Sequence, residues 1–162
     1  MADRTASESQ LRPDPRFNDR QLAKFINCVM LRGQKATAQR IVYDSLDIIQ
    51  EKLAKETDPD APKESIHVFK MAIDNVKPYV EVRSKRIGGA NYQVPIQVSS
   101  RRQQSLAFRW LLDAVRAEKG RPMASKMADE LYSAAKKEGK AMGTRDQTHR
   151  MAEANKAFAH FA

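Results

Sequence analysis

Between residues 78 and 102 the hydrophobic period of this chain switches from 3.6 to 2 and then back again. The stretch reads PYVEVRSKRIGGANYQVPIQVSSRR. Two short alternating runs meet across Gly88-Gly89-Ala90-Asn91. Val80 and Val82 share one face of the first run; Tyr92, Val94, Ile96 and Val98 share one face of the second. The glycines supply the positive backbone angles of a tight tip. Pro95 cannot donate a ladder hydrogen bond, which a two-stranded ribbon tolerates because both its strands are edges. A lone hairpin cannot build a core of its own. Set between helices, it is an arm that reaches for something. Arg83, Lys85 and Arg86 in the first run, with Arg101-Arg102 after the second, make that something anionic.

The flanks carry helical periodicity. Asn18 or Asp19 caps a first helix with Leu22, Phe25, Ile26, Val29 and Met30 on its apolar face, ended by Gly33. A second helix runs from about residue 35 to 55, with Ala38, Ile41, Val42, Leu46, Ile49 and Leu53 inward. Residues 56–64 (ETDPDAPKE) form an acidic, proline-broken loop. Ser65 opens a third helix bearing Val68, Ala72, Ile73 and Val76, stopped by Pro78. After the hairpin, Ser100 with Gln103 makes a capping box for a fourth helix that reaches about Glu118. Leu106, Ala107, Trp110, Leu111, Ala114 and Val115 lie along it. Pro122 suits the first turn of a fifth, with Ala124, Met127, Ala128, Leu131 and Ala135 inward. Residues 136–143 are a basic connector. Thr144 with Gln147 caps a sixth helix that runs nearly to the end. The expected fold is mainly α: a six-helix body with a protruding two-stranded antiparallel β-ribbon. Residues 1–17, broken by Pro13 and Pro15, form a flexible segment. Residues 18–162 form one domain, with the arm at 79–98 inserted between the third and fourth helices.

Charge separates the two halves. Residues 1–77 hold 13 Lys/Arg against 12 Asp/Glu, and residues 78–162 hold 16 against 8, so the net +9 lies almost wholly in the second half. Such a split points to a polyanion partner. With one cysteine, Cys28, no intramolecular disulfide can form, and a free thiol fits a reducing compartment. No apolar run is long enough to span a membrane, and the N-terminal residues lack a signal-like hydrophobic core. The expected setting is the cytosol.

Enzyme chemistry finds little support. His149 and His160 share a helix face but stand about 16 Å apart along its axis, too far to hold one metal, and His67 is remote. No cysteine cluster helps. Cys28 has no histidine or acid beside it and reads as a packing thiol. Residues 32–37 only faintly echo a phosphate loop, without its upstream glycine or strand. Neither cofactor nor metal is implied. Nucleic-acid binding is better supported. Arg102, Arg109 and Arg116 recur every seven residues and form one cationic stripe. On the sixth helix Arg145, His149, Lys156 and His160 fall in one arc, with Met151, Ala154, Phe158 and Phe161 opposite as the face toward the body. Phe25, Phe69, Trp110 and Phe158 sit at core spacing, which leaves Tyr92 as the one candidate for base stacking. Recognition of folded RNA by shape and phosphate fits better than a stacking platform. The rival is an architectural double-stranded DNA binder with a β-arm, although the tip here lacks an apolar wedge.

The segments RSKRIGGANYQVPIQV and RRQQSLAFRWLL resemble the arm and fourth helix of the bacterial-type small-subunit ribosomal protein seven family. THRMAEANKAFAHF resembles its last helix, and KFINCVMLRGQKATAQRIVY its first two helices and the turn between them. The likeness runs from about residue 13 to 161, in order and without a large gap. It implies a structural protein of the ribosome, not an enzyme. Its rRNA partner would be the 3′ major domain of small-subunit rRNA, whose binding starts assembly of the head. The arm would lie near the exit-site tRNA and the mRNA path, touching neighbouring head and platform proteins. Some members also repress their own message.

Arg101, Arg102 and Arg109 match basic positions of the family's fourth helix; Arg83, Lys85 and Arg86 match the arm's basic strand; Lys35 matches the turn after the first helix. Arg32, Arg116, Lys136, Lys137, Arg145, His149, Arg150 and Lys156 complete the expected rRNA-binding set. The tip residues Gly88, Gly89, Ala90, Asn91 and Tyr92 would lie toward tRNA and mRNA. Three departures stand out. Gln34 occupies a usual lysine position, residues 1–10 lack the family's basic run, and His160-Phe161-Ala162 lacks its common aromatic and basic ending.

Overall fold

The structure, a computed structural model, describes residues 11–55 and 62–161. Its elements run α1 (Arg20–Val29), α2 (Lys35–Lys55), α3 (Ser65–Val76), β1 (Val80–Ile87), β2 (Ala90–Gln97), α4 (Ser100–Ala117), α5 (Met123–Ala135) and α6 (Lys140–Ala154). A 3-10 helix, Lys156–Phe161, follows. The expected mainly helical body with an antiparallel ribbon is what forms. Among the described residues no helix is long and apolar enough to cross a membrane. Most of the acidic loop after α2, residues 56–61, lies outside the described residues, as do residues 1–10 and 162.

The core grows around Phe25 of α1. Its ring meets Phe69 of α3 at 5.3 Å and Phe108 of α4 at 5.2 Å, both edge to face, the arrangement that ring quadrupoles favour. Val42, Leu46 and Ile49 of α2 and Met127, Ala128 and Leu131 of α5 close around this centre, all fully buried. Side chains also satisfy the helix ends. Asp19 accepts from the Leu22 amide at 2.9 Å and caps α1. The Asn75 amide donates to the carbonyls of Ala134 and Ala135 at the end of α5. The Glu130 carboxylate accepts from the Ala141 amide at the start of α6. Gly139, at φ 97°, lets that carboxylate approach, since a Cβ there would lie 2.9 Å from Glu130 Oε1.

Several boundaries differ from the sequence expectation. α1 stops at Val29, and Leu31, Arg32 and Gly33 make a separate turn in which Arg32 (φ 53°) and Gly33 (φ 75°) are both left-handed. Ser99, not Ser100, is the cap of α4, and it makes no side-chain cap bond. Phe108 and Leu112 join the core from α4, while Trp110 only packs against its edge. Cys28 is exposed rather than packed. Residues 11–17 have no helix or strand, yet they are pinned. The buried Asp14 carboxylate accepts from the Arg16 and Phe17 amides and from the Tyr43 hydroxyl.

The largest correction concerns α6. It begins at Lys140 on the Glu130 cap, not at Thr144, so the connector shrinks to residues 136–139. Ala141, Met142 and Ala152 are its buried residues, and Arg145 and His149 fall on the same stripe toward the body. Met151 and Ala154, expected inward, are exposed. The physical reason is the break after Ala154. The sequence reading carried one regular helix through Phe158 and Phe161, and so oriented the helix by those rings. The chain instead tightens into a 3-10 turn that sends both rings to the arm.

Candidate nucleic-acid interface

α4 presents the clearest cationic face. Leu111 and Val115 point into the core, and Arg101, Arg109 and Arg116 are exposed on the other side of the helix. Arg101 and Arg109 make no side-chain hydrogen bond or ion pair among the described residues. Both guanidiniums are therefore open forks able to hold a phosphate with two hydrogen bonds. Arg102 is half-buried and reaches Glu81 instead, at 3.1 Å. Arg116 donates to the Val29 carbonyl at 3.3 Å, which joins the α4 stripe to the end of α1.

The turn between α1 and α2 continues that surface. Residues 31–37 are all exposed, and the Arg32 and Lys35 side chains have no partner among the described residues. The turn is ordered: the Gln34 amide donates to the Leu31 carbonyl and the Lys35 amide to the Gly33 carbonyl. Lys24 bridges α1 and α4 through Gln104 at 3.1 Å. Cys28 lies in the same neighbourhood. Although the residue is exposed overall, partial desolvation by its neighbours pushes its thiol up, against the charges of Lys24 and Arg116, so it stays protonated at neutral pH.

The arm is organised differently. Cross-strand pairs share a face, so Glu81, Arg83 and Lys85 lie with Ile96, Val94 and Tyr92. Val80, Val82, Ser84 and Arg86 lie on the other face with Gln97, Pro95, Gln93 and Asn91. The apolar positions of the two strands thus fall on opposite faces of the ribbon. Glu81 is buried to 8% exposure and draws two cations inward: Arg83 at 2.7 Å and Arg102 at 3.1 Å. Burial alone would raise its pKa; the hydrogen bonds from Arg102 and Arg83 outweigh that and hold it below the ordinary value. Lys85 donates to the Phe161 carbonyl at 2.7 Å. Tyr92 rests against Phe158 and Phe161. Arg86 and the tip residues Gly88, Gly89, Ala90 and Asn91 are exposed. The tip turns through Gly88 (φ 57°) and Gly89 (φ 90°), as its sequence requires.

On α6 the candidate cations are mostly engaged. Arg145 donates to the Asn75 carbonyl and to Asp146. His149 accepts from the Tyr79 amide through Nε2 at 3.2 Å, which places any ring proton on Nδ1. Burial, then the charge of Arg145, lowers its pKa, so the ring is neutral at pH 7 and braces the root of the arm. Lys156 pairs loosely with Glu153 at 3.4 Å. Arg150 is exposed without a partner among the described residues, Lys137 is exposed in a left-handed turn, and the Lys136 ammonium sits 4.5 Å from the Tyr132 ring centre.

Sequence reasoning missed Glu81 and Tyr79. Glu81 is the lone acid of a basic strand, two residues from Arg83 and therefore on its face, which is a signal that charge counting overlooks. Tyr79, 73% exposed, sits at the arm root with its ring 6.0 Å from His149. Among the described residues no three His, Cys, Asp or Glu side chains gather as a metal cage.

Comparison with known proteins gives one consistent result. The profile of the family described as ribosomal protein S7p/S5e matches residues 1–156. The chain is 59% identical over 158 residues to the small ribosomal subunit protein uS7 of Rhodopirellula baltica, covering 98% of this chain and 97% of that protein. It is 51% identical over 161 residues to the protein of the same name from Thermotoga maritima, covering 99% of each. With that of Maricaulis maris it shares 47% over 156 residues, 96% of this chain and 95% of the relative.

Proposed function

The chain belongs to the ribosomal protein S7p/S5e family, as a structural constituent of the small ribosomal subunit and not an enzyme, and we propose that it grips the 3′ major domain of small-subunit rRNA chiefly through α4 and the α1–α2 turn. One observation carries this reading. Arg101 and Arg109 stand open on the outward side of α4, Arg116 ties that side to the end of α1, and Arg32 and Lys35 stand open in the turn that follows α1. Cations elsewhere on the chain, such as Arg16, Arg83, Arg121 and Arg145, meet carboxylates. Charges left uncompensated on one ordered surface suit a polyanion whose backbone crosses several elements.

The arm has a second task in this account. Its exposed tip, residues 88–91, and Arg86 extend toward the exit-site tRNA and the mRNA path. Neighbouring head and platform proteins meet the arm and the C-terminal segment. Repression of the protein's own message would reuse the rRNA-binding surface.

Binding of the purified chain to a 3′ major domain transcript, measured across salt, tests the grip. If about 6–10 phosphates are neutralised, affinity falls by roughly 10³–10⁵ between 50 and 200 mM salt, on a scale set by duplex DNA. A flat salt response contradicts the proposal. Equal affinity for a duplex DNA competitor would favour an architectural DNA binder.

A further inference from the structure

Lys85 and Tyr92 are cross-strand partners on one face of the arm, and both are covered by the chain's own C-terminal 3-10 helix. The Tyr92 ring lies 5.2 Å from Phe158 and 5.6 Å from Phe161, centre to centre, and the Lys85 ammonium bonds the Phe161 carbonyl at 2.7 Å. One aromatic side chain and one cation on a ribbon are what a nucleotide would take, the ring by stacking and the ammonium through phosphate. We propose that residues 156–161 are a displaceable strap: they cover the Tyr92–Lys85 face in the free protein, and RNA takes that face by lifting them away. This rests on the RNA-binding reading of the arm and adds its regulation.

The strap is built to leave. None of its residues is buried, and Phe158 and Phe161 are only half-buried. A 3-10 helix of six residues has poorer hydrogen-bond geometry than the α-helix before it. A cleft of about 430 Å³ opens beside it, lined by Tyr79, Pro95, Ile96, His149, Ala152 and Lys156, so its flank is not sealed. Each contact it makes has a nucleic-acid substitute. A base can replace the phenyl rings on Tyr92, and a phosphate oxygen is a stronger acceptor for Lys85 than a neutral carbonyl. Arg86 and Asn91 stay exposed on the other face, and Gly88 and Gly89 at the turn, so they can make first contact while the strap is down.

The test uses the full chain and a transcript of the rRNA 3′ major domain, followed by amide hydrogen exchange and by affinity. On binding, amides of residues 156–161 should lose protection while those of α4 gain it. The Phe158→Ala/Phe161→Ala variant, altered outside the helical core, should bind about three- to tenfold more tightly, because two ring contacts no longer need breaking. Greater protection of residues 156–161 in the complex, or unchanged or weaker binding by the variant, overturns the strap. No protection of α4 would instead overturn the rRNA-binding reading beneath it.

Discussion

The outward face of α4 and the arm are both rich in arginine and lysine, yet they hold their charge in opposite ways. On α4, Arg101 and Arg109 project from a helix whose other side is sealed into the core. On the arm, Arg83 is drawn in by Glu81, Lys85 by a C-terminal carbonyl, and Arg102 is pulled from α4 to the arm root. The first surface is preorganised and open. The second is folded onto its own chain. A rigid, uncompensated surface binds without first breaking internal contacts, whereas a tethered one must release them. In the proposed reading, that difference is why primary binding falls to α4 and later, adjustable contacts to the arm.

The comparison is broken most forcefully at the core. Phe25→Ala removes the ring on which Phe69 and Phe108 converge, and should cost about 3–5 kcal/mol in chemical denaturation. If α4 is a platform only because the core holds it, this variant loses rRNA binding along with its stability. Arg109→Ala should do the reverse. Its stability should stay within about 0.5 kcal/mol of the parent, while rRNA affinity drops by about tenfold or more, the scale of one charge-assisted hydrogen bond. Removing residues 83–93 should leave a cooperative unfolding transition of the helical body. That segment contributes no side chain to the main core cluster, and non-cooperative melting of the deletion would show that arm and body are one unit.

Acid sharpens the contrast further. The pKa of Glu81 is lowered by its arginines against the burial that would raise it, and His149 is lowered by burial and Arg145. A group with a depressed folded pKa contributes stability that is complete above its ordinary value and is lost as pH falls through the folded one. The ordinary values are 6.5 for His149 and 4.5 for Glu81. The arm root should therefore loosen in two stages, first below about pH 6.5 and then below about pH 4.5. Hydrogen exchange corrected for intrinsic rates should show residues 79–82 losing protection before the amides of α3 and α5. The smallest effect is expected at the exposed Arg16–Asp47 pair. Asp47→Ala should change stability by less than about 1 kcal/mol.

Much of this was legible in the chain. The period change at residue 78 and the glycine tip are local patterns, and the ribbon formed where they pointed; of the seven-residue arginine series, Arg109 and Arg116 are exposed while Arg102 is drawn to Glu81. The bounds of α2 and α3 followed from their apolar spacing and from Pro78. What failed depended on contacts distant in sequence. The start of α6 is set by Glu130, and the fate of Phe158 and Phe161 by Tyr92. Periodicity gives a helix its face only when its ends are known, and here both ends were decided elsewhere. The same holds for charge. Whether Arg83 or Arg109 is open to a ligand depends on Glu81, which pairing geometry reveals and composition does not.

Chemical probing of small-subunit rRNA with the purified chain, parent beside an Arg101→Ala/Arg109→Ala variant, tests the central assignment most directly. The account predicts a footprint confined to the 3′ major domain that the double variant loses while remaining folded. An undiminished footprint from the folded variant, or protection spread without regard to domain, would contradict it.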